Sequence, residues 1–227
     1  MTAAMRTETP APSSLRLVLT LAIAGLISGI AIIGIYESTL PTITANKARE
    51  LREAVFKVLP GVSRMQPLAY RNGELVVAPE LAPGEQAVYG GYNEQGGFVG
   101  YAIPGAGPGF QDTIALLYGY TPQEKLVRGM EVLESRETPG LGDKIYKDAD
   151  FVSSFGALSI VPEIVAVKQG KKSRANEIDA ITGATISSKA VVRIINETHA
   201  SWLQRLPPAG SEPAFDETDP ANQEESR

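Results

Sequence analysis

The first feature in the hydropathy pattern is an uncharged apolar run from Leu17 to Tyr36. The run is about as long as a helix must be to cross the hydrocarbon core of a bilayer. A cleaved signal peptide is the alternative, but the run exceeds a typical signal-peptide core and no small-x-small cleavage site follows closely. We therefore predict a retained transmembrane helix over residues 17–36. Arg16 before it and Glu37 after it favour a cytoplasmic N-terminus, residues 1–16.

The spacing of apolar positions changes twice beyond this run. From Thr42 to Leu59 they recur at helical spacing and end before Pro60-Gly61, which predicts an amphipathic juxtamembrane helix within residues 37–62. From residue 63 to residue 135, short apolar runs alternate with turn signals, which is typical of an antiparallel meander. The predicted strands are Glu74–Ala78, Gln86–Tyr92, Gly97–Ile103, Thr113–Tyr120 and Lys125–Glu134.

Two helical patterns follow the predicted strands, at residues 143–155 and 186–206. The order of elements predicts an α+β fold, with one domain over residues 63–206 formed by an antiparallel sheet and flanking helices. Residues 207–227 are rich in Pro, Glu, Asp and Ser and predict a disordered acidic tail. The glycine-rich segment 104–109 lacks the Gly-Lys-Ser/Thr of a phosphate-binding loop, so we predict a hairpin or wide connection there, with contact to a cofactor as the alternative.

Composition excludes several classes of chemistry. The chain has no cysteine, so disulfides, thiolate nucleophiles and iron-sulfur clusters bound by its own cysteines are ruled out. The single histidine, His199, lacks the partners that a hydrolase triad or a multi-histidine metal site requires, and we interpret it as a surface residue. We predict no metal site. The net charge of −5, without basic clusters interleaved with aromatics, makes nucleic acid a poor partner. Redox chemistry would therefore need a bound organic cofactor.

The segment Asp179-Ala-Ile-Thr182-Gly-Ala-Thr185 leads directly into the last helical pattern. Thr185 therefore presents its hydroxyl at the start of a helix, where unpaired backbone amides and the helix dipole favour a phosphate. An ordinary Ser or Thr helix cap is the alternative from local sequence.

This segment resembles the Asp-x-x-Ser/Thr-Gly-Ala-Ser/Thr pattern that flavin transferases recognise when they attach FMN through its phosphate. A second segment, Glu137-Thr-Pro-Gly-Leu-Gly-Asp-Lys-Ile145, resembles the other signature of the FMN-binding subunits of Rnf-type complexes and of Na+-translocating NADH:quinone reductase. Its Asp-Lys-Ile continuation is more similar to the G subunit of the Rnf complex than to the C subunit of the quinone reductase. In the family a Gly-Tyr-Ser-Gly-like segment occupies the region where this chain has Gly109-Phe-Gln-Asp112.

The resemblance implies an electron-carrying subunit, incomplete as an enzyme on its own, with FMN esterified to Thr185. It implies that the flavin transferase recognises Asp179, Thr182, Gly183 and Ala184, and that the last three also contact the cofactor. The other cofactor contacts it implies lie in the second segment, with Leu141 on the isoalloxazine ring: Glu137, Thr138, Pro139, Gly140, Leu141, Gly142 and Lys144.

The resemblance also implies partners and a location. The partners are the other membrane and iron-sulfur subunits of an Rnf-type complex, in which electrons pass between ferredoxin and NAD while ions cross the membrane. The protein would be a single-pass protein of the bacterial inner membrane, with its C-terminal domain on the periplasmic side. There are three alternatives: a membrane-anchored stand-alone flavoprotein reductase, a quinone-reductase C-type subunit, and a non-redox scaffold with an unmodified Thr185.

Overall fold

The structure is a computed structural model that describes residues 13–82 and 84–216. The chain divides into two units, residues 1–48 and 49–227. Helix α1 (Ser14–Val58) begins in the first unit. Its apolar side chains between Leu15 and Tyr36 are largely exposed. By length and composition this helix can cross a membrane. The predicted transmembrane and juxtamembrane helices are one continuous helix, in which Pro41 is an interior residue.

The second unit is built on a seven-stranded antiparallel sheet. The strands are β1 (Arg64–Arg71), β2 (Glu74–Val77), β3 (Ala87–Tyr92), β4 (Phe98–Pro108), β5 (Thr113–Thr121), β6 (Leu126–Ser135) and β7 (Leu158–Ser159). Their order in the sheet is β2-β1-β3-β4-β5-β6-β7. The predicted meander is confirmed, because each strand from β3 to β6 pairs with the next. β1 and β7 were not among the predicted strands.

Both faces of this sheet are covered. Alternate residues of a strand point to opposite faces. Leu117 on β5 joins a small core with Val55 and Val58, from the end of α1, whereas its neighbours Leu116 and Tyr118 belong to the main core. The main core lies between the sheet and helix α4 (Thr185–Leu203). The predicted helix over 186–206 is therefore confirmed within a few residues at each end.

The glycine-rich segment 104–109 was predicted to be a connection, and this was wrong. Strand β4 continues through Pro108, and the turn to β5 is at residues 109–112. Helix α4 lies directly over this strand: a Cβ atom at Gly105 would be 2.6 Å from the Thr198 hydroxyl oxygen, and one at Gly107 would be 2.9 Å from Ile194 Cγ1. The glycines therefore allow the helix to pack closely against the strand.

His199 was predicted to be a surface residue, and this too was wrong. It is 6% exposed on the inner face of α4, with its ring edge-on to Tyr120 at 4.6 Å between centroids. Neither ring nitrogen has a hydrogen-bond partner within the part of the chain that the structure describes. Burial lowers the pKa of His199 to about 4, so the side chain is neutral at pH 7.

The single helix predicted over 143–155 is two short helices, α2 (Lys144–Lys147) and α3 (Ala149–Ser153). Asp148 between them has an extended backbone, and its carboxylate accepts a hydrogen bond from Phe151 N at 3.0 Å, which caps α3. After β7, strands β8 (Val165–Lys168) and β9 (Glu177–Ala180) form a separate parallel pair. β9 leads through residues 181–184 into α4.

The disorder predicted from residue 207 is wrong for its first part, because residues 213–216 pack against the sheet as a C-terminal strap. Gln66 and Tyr92, both fully buried, bind its backbone: Tyr92 Oη donates to Pro213 O at 2.7 Å and Gln66 Nε2 donates to Ala214 O at 2.9 Å. The Phe215 ring lies 5.3 Å from that of Tyr92. Residues 217–227 of the predicted tail lie outside the described residues.

Candidate cofactor site

Three segments that are distant in sequence meet at the carboxylate of Glu137, which is 5% exposed. Its Oε1 accepts hydrogen bonds from the backbone amides of Phe110 at 2.8 Å and Gln111 at 3.0 Å, in the turn between β4 and β5. Its Oε2 accepts a hydrogen bond from Ser187 Oγ at 2.5 Å, in the first turn of α4. The second sequence motif is therefore tied to the helix that begins with Thr185.

Two glycines make room for this carboxylate. A Cβ atom at Gly109 would lie 2.4 Å from Glu137 Oε1, and one at Gly142 would lie 2.4 Å from Oε2 and 3.0 Å from Ser187 Oγ. Neither position tolerates a side chain while Glu137 holds this place. Gly142 was predicted as a cofactor contact, but it must be a glycine in any case, because a side chain there would collide with Glu137.

The electrostatics of Glu137 favour the ionised form. Burial, the largest single influence, raises the pKa of this carboxyl, but the hydrogen bonds from Ser187 and from the backbone amides of Gln111 and Phe110 together outweigh it. The pKa of Glu137 therefore lies below its ordinary value. The Glu137 carboxylate therefore carries a negative charge at neutral pH, at the point where the three segments meet.

The turn after Glu137 exposes its backbone. Gly140 has φ +78° and nothing within 4 Å of its Cβ position, and Leu141 is 52% exposed. Thr138 is anchored below them, since its hydroxyl donates to Gln111 Oε1 at 2.7 Å. Pro139 is exposed, and Lys144 at the start of α2 is partly exposed.

Thr185 is the first residue of α4 and is exposed. The residue before it, Ala184, occupies the cap position and provides no side-chain hydrogen bond to the helix. The first intrahelical bond is donated by Ser188 N to Ala184 O at 2.9 Å, so the amides of residues 185–187 have no carbonyl acceptor in the helix. Gly183, with φ +86°, has open space around it. This helix start can therefore accept an anion.

Asp179 and Thr182 face a different neighbour. Asp179 Oδ1 accepts from the amides of Lys171 and Lys172, both at 3.0 Å, and the Thr182 hydroxyl donates to Gln169 Oε1. The structure thus brings the Glu137 turn and the Thr185 helix start together, whereas the upstream motif residues contact the loop between β8 and β9.

Sequence patterns did not identify Phe110, Gln111 and Ser187 as site residues, because contacts between turns distant in the chain leave no periodic pattern.

Comparison with known proteins shows which family has this arrangement. The FMN-binding domain family matches residues 109–200, which contain the β4–β5 turn, both motifs and most of α4. The G subunit of the ion-translocating oxidoreductase complex of Escherichia coli O157:H7 is 34% identical over 177 residues, covering 74% of this chain and 84% of that protein. The chain belongs to the family of these G subunits.

Other relatives agree. The corresponding protein of Methanosarcina acetivorans is 27% identical over 78% of this chain, and the G subunit of the Na(+)-translocating ferredoxin:NAD(+) oxidoreductase complex of Acetobacterium woodii is 37% identical over 44% of it. These matches cover 88% and 48% of those two proteins. The crystal structure of NqrC from Shewanella oneidensis, at 18% identity and a TM-score of 0.50, covers 64% of this chain and 80% of that one, and shares its fold.

The local structure fits an FMN whose phosphate lies at the start of α4. The uncapped amides of residues 185–187 suit a phosphate, and the open backbone at Gly140 and Gly183 suits a flat ring. Large apolar side chains remain exposed on all three segments: Phe110 at 64%, Leu141 at 52% and Ile186 at 57%. Among residues 13–82 and 84–216, no group of three or more His, Asp or Glu side chains could hold a metal ion.

Proposed function

We propose that this protein is the FMN-carrying redox subunit of a membrane complex that couples electron transfer of the ferredoxin:NAD type to ion translocation. One observation carries the proposal: the Glu137–Ser187 hydrogen bond ties the Glu137 motif to the first turn of α4, two residues beyond Thr185. FMN would supply the redox chemistry, because it accepts two electrons and releases them one at a time. The chain itself holds, orients and shields that group, and depends on neighbouring subunits for catalysis.

We propose that the attachment point is Thr185, through a phosphoester. The support is that Thr185 is exposed at a helix start whose cap residue, Ala184, cannot satisfy the first-turn amides, and that its hydroxyl has only a long hydrogen bond, 3.3 Å, to Ile181 O. A phosphate esterified to this hydroxyl would replace the missing cap. Gly183 and Ala184 leave the approach to the hydroxyl free of bulky side chains.

The Glu137 turn has the second role in this proposal. Glu137 fixes the turn and the β4–β5 connection to α4, and so orients the exposed apolar side chains of Phe110 and Leu141 beside the attachment point. Gly140 offers uncovered backbone amide and carbonyl groups to a ring. The buried negative charge of Glu137 would disfavour an added electron on a nearby flavin and thereby lower its potential.

The experiment that tests attachment is the intact mass of the protein purified from its own membranes. The unchanged chain should carry one FMN, Thr185→Ala should carry none and stay folded, and Thr185→Ser is the matched control that keeps the hydroxyl and should be labelled. Covalent flavin fluorescence on a denaturing gel gives an independent readout. Covalent FMN on the Thr185→Ala variant would refute the assignment.

We further propose that α1 anchors the chain with residues 1–16 in the cytoplasm and the domain on the periplasmic side, beside membrane and iron-sulfur subunits. The support is the apolar stretch of α1 and the flanking charges Arg16 and Glu37. Protease added to spheroplasts should digest the domain and spare an epitope at the N-terminus. Protection of the domain from protease in intact spheroplasts would show the opposite orientation.

A further inference from the structure

The loop between β8 and β9 is the most basic segment of an acidic chain. Residues 168–174, which are Lys168 at the end of β8 and the first six residues of this loop, are called the basic loop here; they carry four positive charges in a protein whose net charge is −5. Lys168, Lys171, Lys172 and Arg174 are all exposed. A run of exposed lysines is usually a solvated surface, so its meaning depends on whether the backbone presents those charges in a fixed arrangement.

Two carboxylates of β9 fix that backbone. Asp179 Oδ1 accepts from Lys171 N and Lys172 N, both at 3.0 Å. Glu177 Oε2 accepts from Ser173 N at 2.8 Å, Ser173 Oγ at 3.0 Å and Arg174 N at 3.1 Å. Four consecutive amides are thus held by two side chains, which fixes the backbone that carries the lysines. Arg174 also pairs with Glu177, at 3.9 Å.

The same loop is tied to the proposed acceptor motif. Asp179 and Thr182 are the two polar side chains of the motif that precede Thr185, and both bind this loop, Thr182 through Gln169. β8 and β9 run parallel, with Lys168 opposite Ala180, so the loop and the residues leading to Thr185 leave neighbouring strands. Asp179 therefore acts on the loop's backbone, and the motif's requirement for an acidic residue has a structural cause.

We propose that the basic loop 168–174 is the surface that docks this chain onto the flavin transferase, against negative charge presented by that enzyme and the flavin dinucleotide it holds. This inference rests on the proposed attachment to Thr185. Asp179 and Glu177 are positioning residues, because they act through the loop. Charge complementarity of this kind lowers the KM for the acceptor chain and leaves the chemical step unchanged.

The step served by this docking is a phosphoryl transfer without oxidation or reduction. Thr185 Oγ attacks the flavin-side phosphorus of the dinucleotide, and a new P–O bond to Thr185 forms. The bond from that phosphorus to the bridging oxygen breaks, and AMP leaves with this oxygen. The hydroxyl proton passes to a base of the transferase. The lysines of the loop do not take part in the bond changes.

The test uses the full chain in detergent, purified from cells that lack the transferase and then incubated with flavin adenine dinucleotide and the transferase. Initial rates of covalent labelling are measured against chain concentration and salt. The double variant Lys171→Gln/Lys172→Gln should raise the KM for the chain about fivefold, at nearly unchanged kcat, and weaken the salt dependence. The charge-matched control Lys57→Gln/Arg71→Gln, which changes two exposed ion pairs elsewhere, should label like the unchanged chain.

Variants of the two carboxylates separate positioning from direct recognition. Asp179→Ala and Glu177→Ala should each slow labelling at least tenfold, while Asp179→Asn and Glu177→Gln keep an acceptor oxygen and should retain much of the rate. The unfolding midpoint of each variant checks that it is folded. If the transferase reads the charge of Asp179 itself, Asp179→Asn fails like Asp179→Ala, and Glu177→Ala labels normally, which would overturn the role assigned to these residues.

Other outcomes are equally decisive. An unchanged KM in the Lys171/Lys172 double variant, with normal labelling of the unchanged chain, would overturn the docking surface alone. If that variant labels normally but is reduced slowly in the assembled complex, the loop serves an electron-transfer partner and the proposal is wrong. Absence of labelling on the unchanged chain would overturn the proposed attachment, and docking with it.

Discussion

Replacing Glu137 by alanine is the most direct perturbation of the proposed flavin site. The change removes the acceptor for Ser187 Oγ and for the amides of Phe110 and Gln111. Because the carboxylate is 5% exposed, water replaces it poorly, and the Ser187 hydroxyl, in a residue 2% exposed, loses its acceptor. The turn would then keep the Thr138–Gln111 hydrogen bond to the β4–β5 connection but lose its hydrogen bond to α4.

The size of the effect follows from these three hydrogen bonds. A bond to a charged acceptor contributes about 1.5–3 kcal/mol, and the two amides in the turn regain part of this from water. Glu137→Ala should therefore lower the free energy of unfolding by about 3–5 kcal/mol. Glu137→Gln should cost only about 1 kcal/mol, since its oxygen can face the two amides while its amide group donates to Ser187 Oγ.

The assay is urea unfolding of the full chain in detergent, followed by the fluorescence of Trp202, the only tryptophan and 2% exposed. Glu94→Ala, at an exposed position in the turn between β3 and β4, is the matched control. The folded pKa of Glu137 is lowered, so its contribution is present above the unfolded pKa and is lost as the pH falls through the folded value. A loss below about 1 kcal/mol for Glu137→Ala at pH 7 would refute this account of the site.

Three further predictions concern His199, Gly140 and Gly105. Because the pKa of His199 is lowered from 6.5 to about 4, stability should fall by about 2 kcal/mol between pH 7 and pH 5, and urea titrations of His199→Phe should lack this component. Gly140→Val, at φ +78°, should keep covalent FMN but change the flavin absorption spectrum and midpoint potential; unchanged values would place this turn away from the ring. Gly105→Val should destabilise the fold by about 1–3 kcal/mol in the same titration, because the new side chain meets Thr198; a stability equal to that of the unchanged chain would contradict the close packing of α4.

Sequence patterns predicted the elements whose signal is local. The apolar run of α1, the short apolar runs of β3, β5 and β6 and the periodicity of α4 can all be recognised without tertiary information. β1 was missed because Gln66 and Pro67 interrupt its alternation, and the burial of Gln66 depends on Ala214 and Asp216 far along the chain. The extension of β4 through a glycine-rich segment likewise depends on the close approach of α4.

The candidate site divides in the same way. Thr185 and the Glu137 turn were identified from motifs, but their connection through Ser187 was not, since nothing in the sequence relates residue 137 to residue 187. His199 was misassigned because a lone histidine among helical residues carries no sign of the face it occupies. Asp179 was interpreted as part of a recognition surface, and the loop it supports became visible only with its hydrogen bonds to Lys171 and Lys172.

The C-terminal strap, residues 213–216, has a practical consequence for work on the isolated domain. A fragment that stops at Leu206, where the last predicted helix ends, would leave Gln66 and Tyr92 open to water at an uncovered sheet face and remove Phe215, one of the two aromatic partners of Tyr92. Such a fragment would be prone to aggregation, and its poor behaviour would be mistaken for a property of the flavin site. A soluble domain for crystallisation or NMR should therefore extend at least to Asp216.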